Sequence, residues 1–423
     1  MNICIAGARG FLGARIAARF AAEGHTVVCA ARAGGENAAC SRWIEMDFTA
    51  PAPGRWAREL AGVNVLVNAI GILRESRGQT FEALHVAGPC ALFDAAVTAG
   101  VQRIIQISAL GAAADAAAQY HRSKHAADTY LATLPVESVV VRPSLVYGAG
   151  GTSAAMFETM ASLPVIPLPG GGGQRVQPVH VDDVVESIHL LATRPLPAGH
   201  ELPLVGPRPL TLREFLTSLR VTLGFPAAHT LSIPAPLVRT AASMGEGLPG
   251  VLLDRETLGM LERGNTGSPD EMTRLLGHPP RAVEEFVSPE DRRHRRVLAS
   301  LRWIEPLLRV SVALMWLTAG IVSLGVYPVD ASLRLLQQIG APAAFAPWLL
   351  FGAALLDIVL GLLSLWPRAP RGLWTVQIAL VLAYTAIITL KLPALWLEPF
   401  GPVVKNLPIL VLLLFLRQLA TRR

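Results

Sequence analysis

The first thirteen residues, Met1-Asn2-Ile3-Cys4-Ile5-Ala6-Gly7-Ala8-Arg9-Gly10-Phe11-Leu12-Gly13, set a short apolar run directly against a glycine turn. Glycines allow a tight turn and let the backbone approach a pyrophosphate, whose charge meets the free N–H groups that open a helix. The spacing is GxxGxxG, not the GxGxxG of the common dehydrogenase fingerprint, and three glycines in an alanine-rich chain carry little weight alone. Their position decides the matter. Between an opening strand and a helix over Phe11–Glu23 they predict a dinucleotide cradle built from Gly7, Arg9, Gly10, Phe11, Leu12 and Gly13.

Outward from that turn, short apolar runs alternate with helical patterns, the signature of βαβ units and a parallel sheet. Strands are expected at Asn2–Ala6, Thr26–Ala31, Trp43–Asp47, Val63–Asn68, Arg103–Ser108 and Ser138–Arg142, with helices over Phe11–Glu23, Thr80–Ala99 and Tyr120–Leu134. The fold class read here is α/β: a Rossmann-type doubly wound parallel sheet with a small substrate lobe, followed by an all-α four-helix transmembrane bundle. An NAD-preferring site places Asp or Glu at the end of the second strand. Here that end reads Val27-Val28-Cys29-Ala30-Ala31-Arg32, so Arg32, with Arg9, is positioned to pair with a 2′-phosphate, and NADP is expected rather than NAD. Asp47 would meet the adenine, and Asn68-Ala69-Ile70-Gly71 would lie along the cofactor ribose. Residues 1–148 form the expected nucleotide-binding core. Residues 149–290, with loops such as Pro169-Gly170-Gly171-Gly172-Gly173, form mainly the substrate lobe.

Tyr120 and Lys124 stand one helical turn apart in Tyr120-His121-Arg122-Ser123-Lys124. A neighbouring ammonium favours a phenolate, so the pair is expected to lower the tyrosine pKa toward neutrality and exchange a proton with a carbonyl or alcohol oxygen. Together with Gly7–Gly13, Asn68–Gly71, Arg142-Pro143-Ser144-Leu145-Val146-Tyr147-Gly148 and Pro178-Val179-His180-Val181-Asp182-Asp183-Val184, this pair resembles the extended or atypical short-chain dehydrogenase/reductases over about the first 290 residues. Within them, Ser108-Ala109-Leu110-Gly111, Met156-Phe157, Leu163-Pro164-Val165 and Leu261-Glu262-Arg263-Gly264-Asn265-Thr266 resemble the branch that contains the NADPH-binding accessory subunit of respiratory complex I. The resemblance implies that Tyr120 and Lys124 are catalytic and also touch the cofactor, as would Pro143 and Ser144. It further implies a Ser or Thr after the fifth strand to hold the substrate oxygen; the position falls on Ser108, Ala109 or Leu110, of which Ser108 carries a hydroxyl. His180, Asp182 and Asp183 are read as a strand-to-helix turn.

The chain has 423 residues, 52% of them hydrophobic and only 16% charged, against roughly 25% charged in a soluble protein. That excludes disorder and points to a segment solvated by lipid. Val310–Val329 and Gly372–Leu390 carry no charge and Ala343–Trp366 carries only Asp357, each long enough for a ~30 Å hydrocarbon layer; Val403–Leu416 is shorter and contains Lys405. Four crossings are expected. The net charge of +6 fits membrane orientation better than nucleic-acid binding, because arginines flank the spans at Arg292, Arg293, Arg295 and Arg296, at Arg368 and Arg371, and at Arg417, Arg422 and Arg423. This distribution predicts a multi-pass inner (cytoplasmic) membrane protein with its N-terminal domain and C-terminus on the cytoplasmic side. Residues 291–302 read as a basic linker and residues 303–423 as the membrane domain. Pro399-Phe400-Gly401-Pro402-Val403-Val404-Lys405-Asn406-Leu407-Pro408 resembles the DoxX-like four-helix membrane family. Arg309 and Asp357 form a candidate intramembrane ion pair, and tryptophans including Trp316, Trp348, Trp366 and Trp374 are read as interface anchors. Cys4, Cys29, Cys40 and Cys90 show neither a disulfide framework nor metal-ligand spacing, and the N-terminus shows no cleavable export signal.

These readings converge on a membrane-anchored NADP-dependent oxidoreductase acting on a lipophilic carbonyl, alcohol or quinone small molecule at the lipid bilayer. A non-catalytic NADPH-binding scaffold within a membrane-protein complex is the alternative, and a sugar-nucleotide epimerase or dehydratase a third.

Overall fold

A computed structural model describes residues 1–33, 35, 37–195, 200–244, 255–397, 399, 401 and 403–420, and the chain divides into two units, Met1–Ala299 and Ser300–Arg423. In the first unit, β1 (Asn2–Ala6), β2 (Thr26–Ala31), β3 (Arg42–Glu45), β4 (Val65–Asn68), β5 (Arg103–Ile107), β6 (Glu137–Pro143) and β7 (His200–Leu204) form one parallel sheet in the order β7-β6-β5-β4-β1-β2-β3. Successive side chains point to opposite faces, and both faces are apolar because helices cover both. Ile3, Ile5, Val65, Val67, Ile105 and Val141 pack with Ile16 and Phe20 of α1 (Phe11–Ala22) and with Val184 and Ile188 of α6 (Val181–Thr193). Cys4, Ala6, Leu66, Ile104 and Val140 face Trp56 of α2 (Pro53–Glu59), Phe93 of α3 (Gly88–Thr98) and Leu131 of α4 (Gln119–Ala132). The strand order reverses between β1 and β4, so the connections leaving their carboxyl ends part and open a crevice there.

Three features depart from the sequence reading. The stretch expected as one helix over Thr80–Ala99 begins as a π turn, Glu82–Ala87, before α3. Pro89 has no N–H for the carbonyl four residues back, and the Gly88 N–H reaches Ala83 O instead. A seventh strand, β7, rises from inside the range assigned to the substrate lobe; Glu201 and Pro203 weaken its strand signal, and proline is tolerated at this sheet edge. Cys29 and Cys40 are joined by a disulfide, which corrects the cysteine reading. The Ser41 N–H bonds to Val27 O and brings the residue before it beside β2, leaving the Cα atoms of the two cysteines 5.7 Å apart.

The lobe packs α5 (Thr152–Ser162) and α7 (Leu212–Thr222) through Phe157, Phe215 and Leu219. It also receives part of the basic run read as a linker. Arg295 is buried, with its guanidinium 2.6 Å from Glu158 and over the Tyr147 ring, while Arg296 lies 4.8 Å from the Phe225 ring. Charge density alone did not reveal this, because one buried carboxylate suffices to hold an arginine inside.

Among the described residues, three helices are long and apolar enough to cross a membrane: Pro289–Val326, whose first turns belong to the first unit, Ala346–Ser364 and Arg371–Lys391. The apolar helix Asn406–Leu419 has 14 residues, about 21 Å at 1.5 Å per residue, less than the ~30 Å layer. Gly320 and Gly361 let two helices touch backbone to backbone, since a β-carbon on Gly320 would lie 2.7 Å from Ala354 O and one on Gly361 3.0 Å from Ala313 O.

The Arg309–Asp357 pair is not formed. Arg309 reaches Glu305, one turn back, at 3.0 Å, donates to Trp366 O at 2.7 Å and lies over the Trp374 ring. Trp348 and Trp366 are exposed as interface anchors would be, but Trp316 and Trp374 are buried, and Trp316 donates its indole N–H to Gln377. Phe400, Pro402, Arg422 and Arg423 lie outside the described residues.

Candidate functional site

The turn after β1 is shaped by steric limits at its glycines. Gly7 has φ +84°, and a β-carbon there would come within 3.0 Å of the Ala69 backbone; one on Gly13 would stand 2.2 Å from Gly7 O. The left-handed backbone at Gly7 and the 2.2 Å backbone clash at Gly13 both call for glycine if α1 is to start against the turn. Gly10 caps α1 without a side-chain hydrogen bond, and no carboxylate lies in the first turn. The opening N–H groups of α1 thus carry no side-chain cap and suit an anion.

Ala69 and Gly71 continue the crevice at the end of β4. A β-carbon on Gly71 would lie 3.1 Å from Lys124 Nζ, which donates to Ile70 O at 3.2 Å and to Ile107 O at 3.0 Å. The structure therefore sets Gly7, with Gly10 and Gly13, beside Ala69, and Gly71 beside Lys124. Arg9 and Arg32 are exposed, and Gln79, with its amide oriented to match, offers its oxygen to both terminal nitrogens of Arg32 at 2.9 Å. Asp47 accepts from the Thr49 N–H at 2.9 Å and hydroxyl at 2.7 Å, and the hydroxyl bond chiefly holds its carboxyl below the usual range. Asn68 is fully buried, donating to Gln106 at 2.8 Å, and the Ser144 hydroxyl donates to Gln177 O at 2.5 Å, so these two side chains serve the sheet and lobe. Pro143 ends β6, its carbonyl accepting from the Leu110 N–H. Phe11 and Leu12 pack against the core, with Arg15 over the Phe11 ring.

On α4, Tyr120, Lys124 and Asp128 follow one another at i, i+4 and i+8. Asp128 was missed in the sequence, although this spacing would have found it. It is buried, accepts from the Ser108 hydroxyl at 2.5 Å and lies 3.7 Å from Arg142, which also pairs with Glu201 at 2.8 Å. Ser108 is thereby directed at Asp128. The electrostatics reverse the expectation for Tyr120. Desolvation, with Asp128 adding to it, pushes the phenol up to about 12, while desolvation brings the Lys124 ammonium down to about 8. A helical repeat shows which residues share a face but not how dry that face is, and here dryness prevails.

His85 is a second residue the sequence did not flag. Its Nε2 accepts from the Ile72 N–H at 3.0 Å, and its Nδ1 lies 2.9 Å from the Ser123 hydroxyl, which donates to Tyr120 O. Nδ1 must then carry the proton. Burial, helped by Lys124, drives the imidazole down to about 2, so it stays neutral, edge-on to the Tyr120 ring at 5.5 Å. His180 and Asp183 hold structure together, as expected: His180 caps α6, and the buried Asp183 accepts from the Arg281 N–H and guanidinium.

Lys124 also gives a stability test. Its folded proton affinity lies below that of the unfolded chain, which binds the extra proton between about pH 8 and 10.5, so stability should rise with pH across that window. Lys124→Met should remove the rise and stabilise the protein near pH 7 by roughly 1–3 kcal/mol, at about 1.4 kcal/mol per tenfold change in proton affinity. Thermal midpoints of both proteins at pH 7 and 10 check this.

Residues 3–202 match the NAD dependent epimerase/dehydratase family and residues 313–414 the DoxX-like family. The rat mitochondrial protein "NADH dehydrogenase [ubiquinone] 1 alpha subcomplex subunit 9" is 31% identical over 42% of this chain and 46% of its own, so the chain spans about half the length of that relative. "Ceramide reductase" of Caulobacter vibrioides is 24% identical over 57% of this chain and 76% of its own. A ketoreductase of Stigmatella aurantiaca, named for a farnesyl-bearing dihydroquinoline oxide, is 28% identical over 53% and 75%. A Staphylococcus aureus nucleoside-diphosphate-sugar epimerase superposes with a TM-score of 0.56 at 17% identity, over 68% of this chain and 99% of that one, a likeness of fold. The chain therefore joins an N-terminal domain of the NAD dependent epimerase/dehydratase type, homologous to the mitochondrial complex I subunit, to a C-terminal DoxX-like domain.

Proposed function

We propose that the chain is a membrane-tethered, NADP-dependent reductase of a lipophilic carbonyl or quinone compound. The observation that carries this reading is the placement of Tyr120 and Lys124 on one face of α4, with Lys124 Nζ beside Gly71 at the carbonyls that follow β4 and end β5. Lys124 is the only lysine in residues 1–390. A chain that otherwise uses arginine keeps an amine where a tunable cation is useful, since guanidinium stays charged in any surroundings.

The cradle would hold the pyrophosphate, Arg32 and Arg9 the 2′-phosphate, and Lys124 the ribose beside Gly71. NADPH bound there supplies the hydride. Tyr120 then has one task. Its raised pKa keeps the phenol protonated at neutral pH, ready to donate to a carbonyl oxygen as negative charge develops on it. Lys124, near 8, is poised to return that proton. Asp128 fixes Ser108 and balances the lysine charge. Two relatives whose names describe reduction of molecules with long apolar chains, together with the membrane helices, favour a substrate dissolved in lipid. The arginines flanking the spans favour the cytoplasmic side of the inner membrane for the N-terminal domain.

Two observations favour the scaffold reading: the Ser108 hydroxyl is engaged with Asp128, and some relatives are named as respiratory-complex subunits. Detergent-purified protein supplied with NADPH and farnesal or a short-chain ubiquinone should oxidise the nucleotide. A tightly retained nucleotide that neither compound oxidises would support the scaffold, and thermal protection by a nucleotide sugar would support an epimerase. For the cofactor, Arg32→Asp should weaken NADPH binding by about 10–100-fold, the worth of one charge-assisted contact, and NADH binding by far less. Equal losses in fluorescence titrations would remove the case for NADP.

A further inference from the structure

The helix Ala346–Ser364 buries one stripe of its surface, Leu350, Ala354, Asp357, Leu360, Gly361 and Ser364. At one end of that stripe polar groups satisfy one another: Gln377 of helix Arg371–Lys391 donates to the Ser364 hydroxyl at 2.9 Å and accepts from the Trp316 indole at 3.0 Å. Seven residues back from Ser364 stands Asp357, and seven residues on from Gln377 stands Tyr384, so an antiparallel pair brings both to one level, about 10 Å farther along. Tyr384 is partly buried and packs against the same apolar cluster as Leu360 of the stripe.

Asp357 is 8% exposed, and its Oδ1 has no hydrogen-bond partner among the described residues. Neither of the two cations in or near the spans serves it: Arg309 is held by Glu305 and Trp366 O, and Lys405 is exposed. No cluster of three or more His, Cys, Asp or Glu side chains occurs among the described residues, so a metal ion has no ligand set there. A lone carboxyl group inside an apolar span is costly unless something completes it.

We propose that the membrane unit holds a binding site for the hydroxyl head of an apolar molecule, centred on Asp357 and Tyr384 and reached from the bilayer. An alcohol group both donates and accepts, so it satisfies a carboxylate or a carboxylic acid and leaves a lone pair or proton for the tyrosine. A ketone only accepts. The apolar tail would leave past Leu356, which is exposed at the edge of that stripe. This site does not depend on the reductase reading and needs no nucleotide.

The test uses the full chain in phosphatidylcholine vesicles with N,N′-dicyclohexylcarbodiimide, an apolar reagent for carboxyl groups in membranes, read by peptide mass spectrometry. Asp357 should be modified, and dodecan-1-ol should slow the modification by about fivefold, the worth of one net hydrogen bond, where dodecane at the same mole fraction does not. The Asp357→Asn protein should lack that adduct while keeping its helical circular dichroism. An unmodified Asp357 would overturn the proposal, since a site entered from lipid must admit the reagent. Equal protection by dodecane, or protection by dodecan-2-one matching the alcohol, would overturn it as well.

Discussion

Tyr120→Phe should lower the rate of NADPH oxidation by a lipophilic carbonyl compound by about 10²–10⁴-fold, the usual contribution of a positioned proton donor, while nucleotide affinity stays within about threefold of wild type. The variant removes one hydroxyl and keeps the ring that packs edge-on against His85 and Phe81, so the local structure should survive. The phenol of the native protein is pushed up to about 12, which makes it a donor and not a base at neutral pH. Reduction should accordingly show no loss of rate between pH 6 and 8 from this group, and any fall at higher pH should begin near the range of Lys124, about 8. Stopped-flow absorbance at 340 nm measures the rate and fluorescence titration the affinity. An unchanged rate in Tyr120→Phe would exclude proton donation by this residue and move the balance to the scaffold reading.

What was legible in the sequence was local. Six of the seven strands of the parallel sheet, the glycine turn, and Tyr120 with Lys124 on one helical face each follow from period and spacing within about a dozen residues. Contacts between distant segments were not legible. Asp128 matters because Ser108 arrives from another element, twenty positions upstream, and β7 joins the sheet only after the lobe has been traversed. His85 turns toward Ser123 from a π turn that Pro89 helps impose, which an ideal helical wheel would not show. In the membrane unit, hydropathy gave the depth of Arg309 and Asp357 but not their azimuth, and Glu305 one turn away took the arginine. The sign of the Tyr120 shift failed for a related reason: spacing reported the nearby ammonium, whereas burial, which depends on the whole fold, outweighed it.

Gly13→Ala should cut nucleotide affinity by about 100-fold or more, a loss far larger than one methyl group would cause on an open surface. The new β-carbon would meet Gly7 O at 2.2 Å, Gly7 C at 2.7 Å and Ala8 Cα at 3.0 Å, all backbone atoms of the turn that must approach the pyrophosphate. No side chain can swing aside, so relief requires the turn or the start of α1 to move by roughly 1 Å, a displacement that can cost 10² in a positioned interaction. Overpacking of this kind also costs about 1–3 kcal/mol of fold stability, so the thermal midpoint should drop by several degrees. Gly54→Ala is the matching control. Its β-carbon would meet nothing within 4 Å, and the residue lies in α2, where alanine is the better helix former by up to ~1 kcal/mol. Affinity should therefore be unchanged in Gly54→Ala and the midpoint equal or slightly higher. If Gly13→Ala instead binds NADPH as wild type does, the cradle is not where the pyrophosphate rests, and the nucleotide reading of the opening turn fails with it.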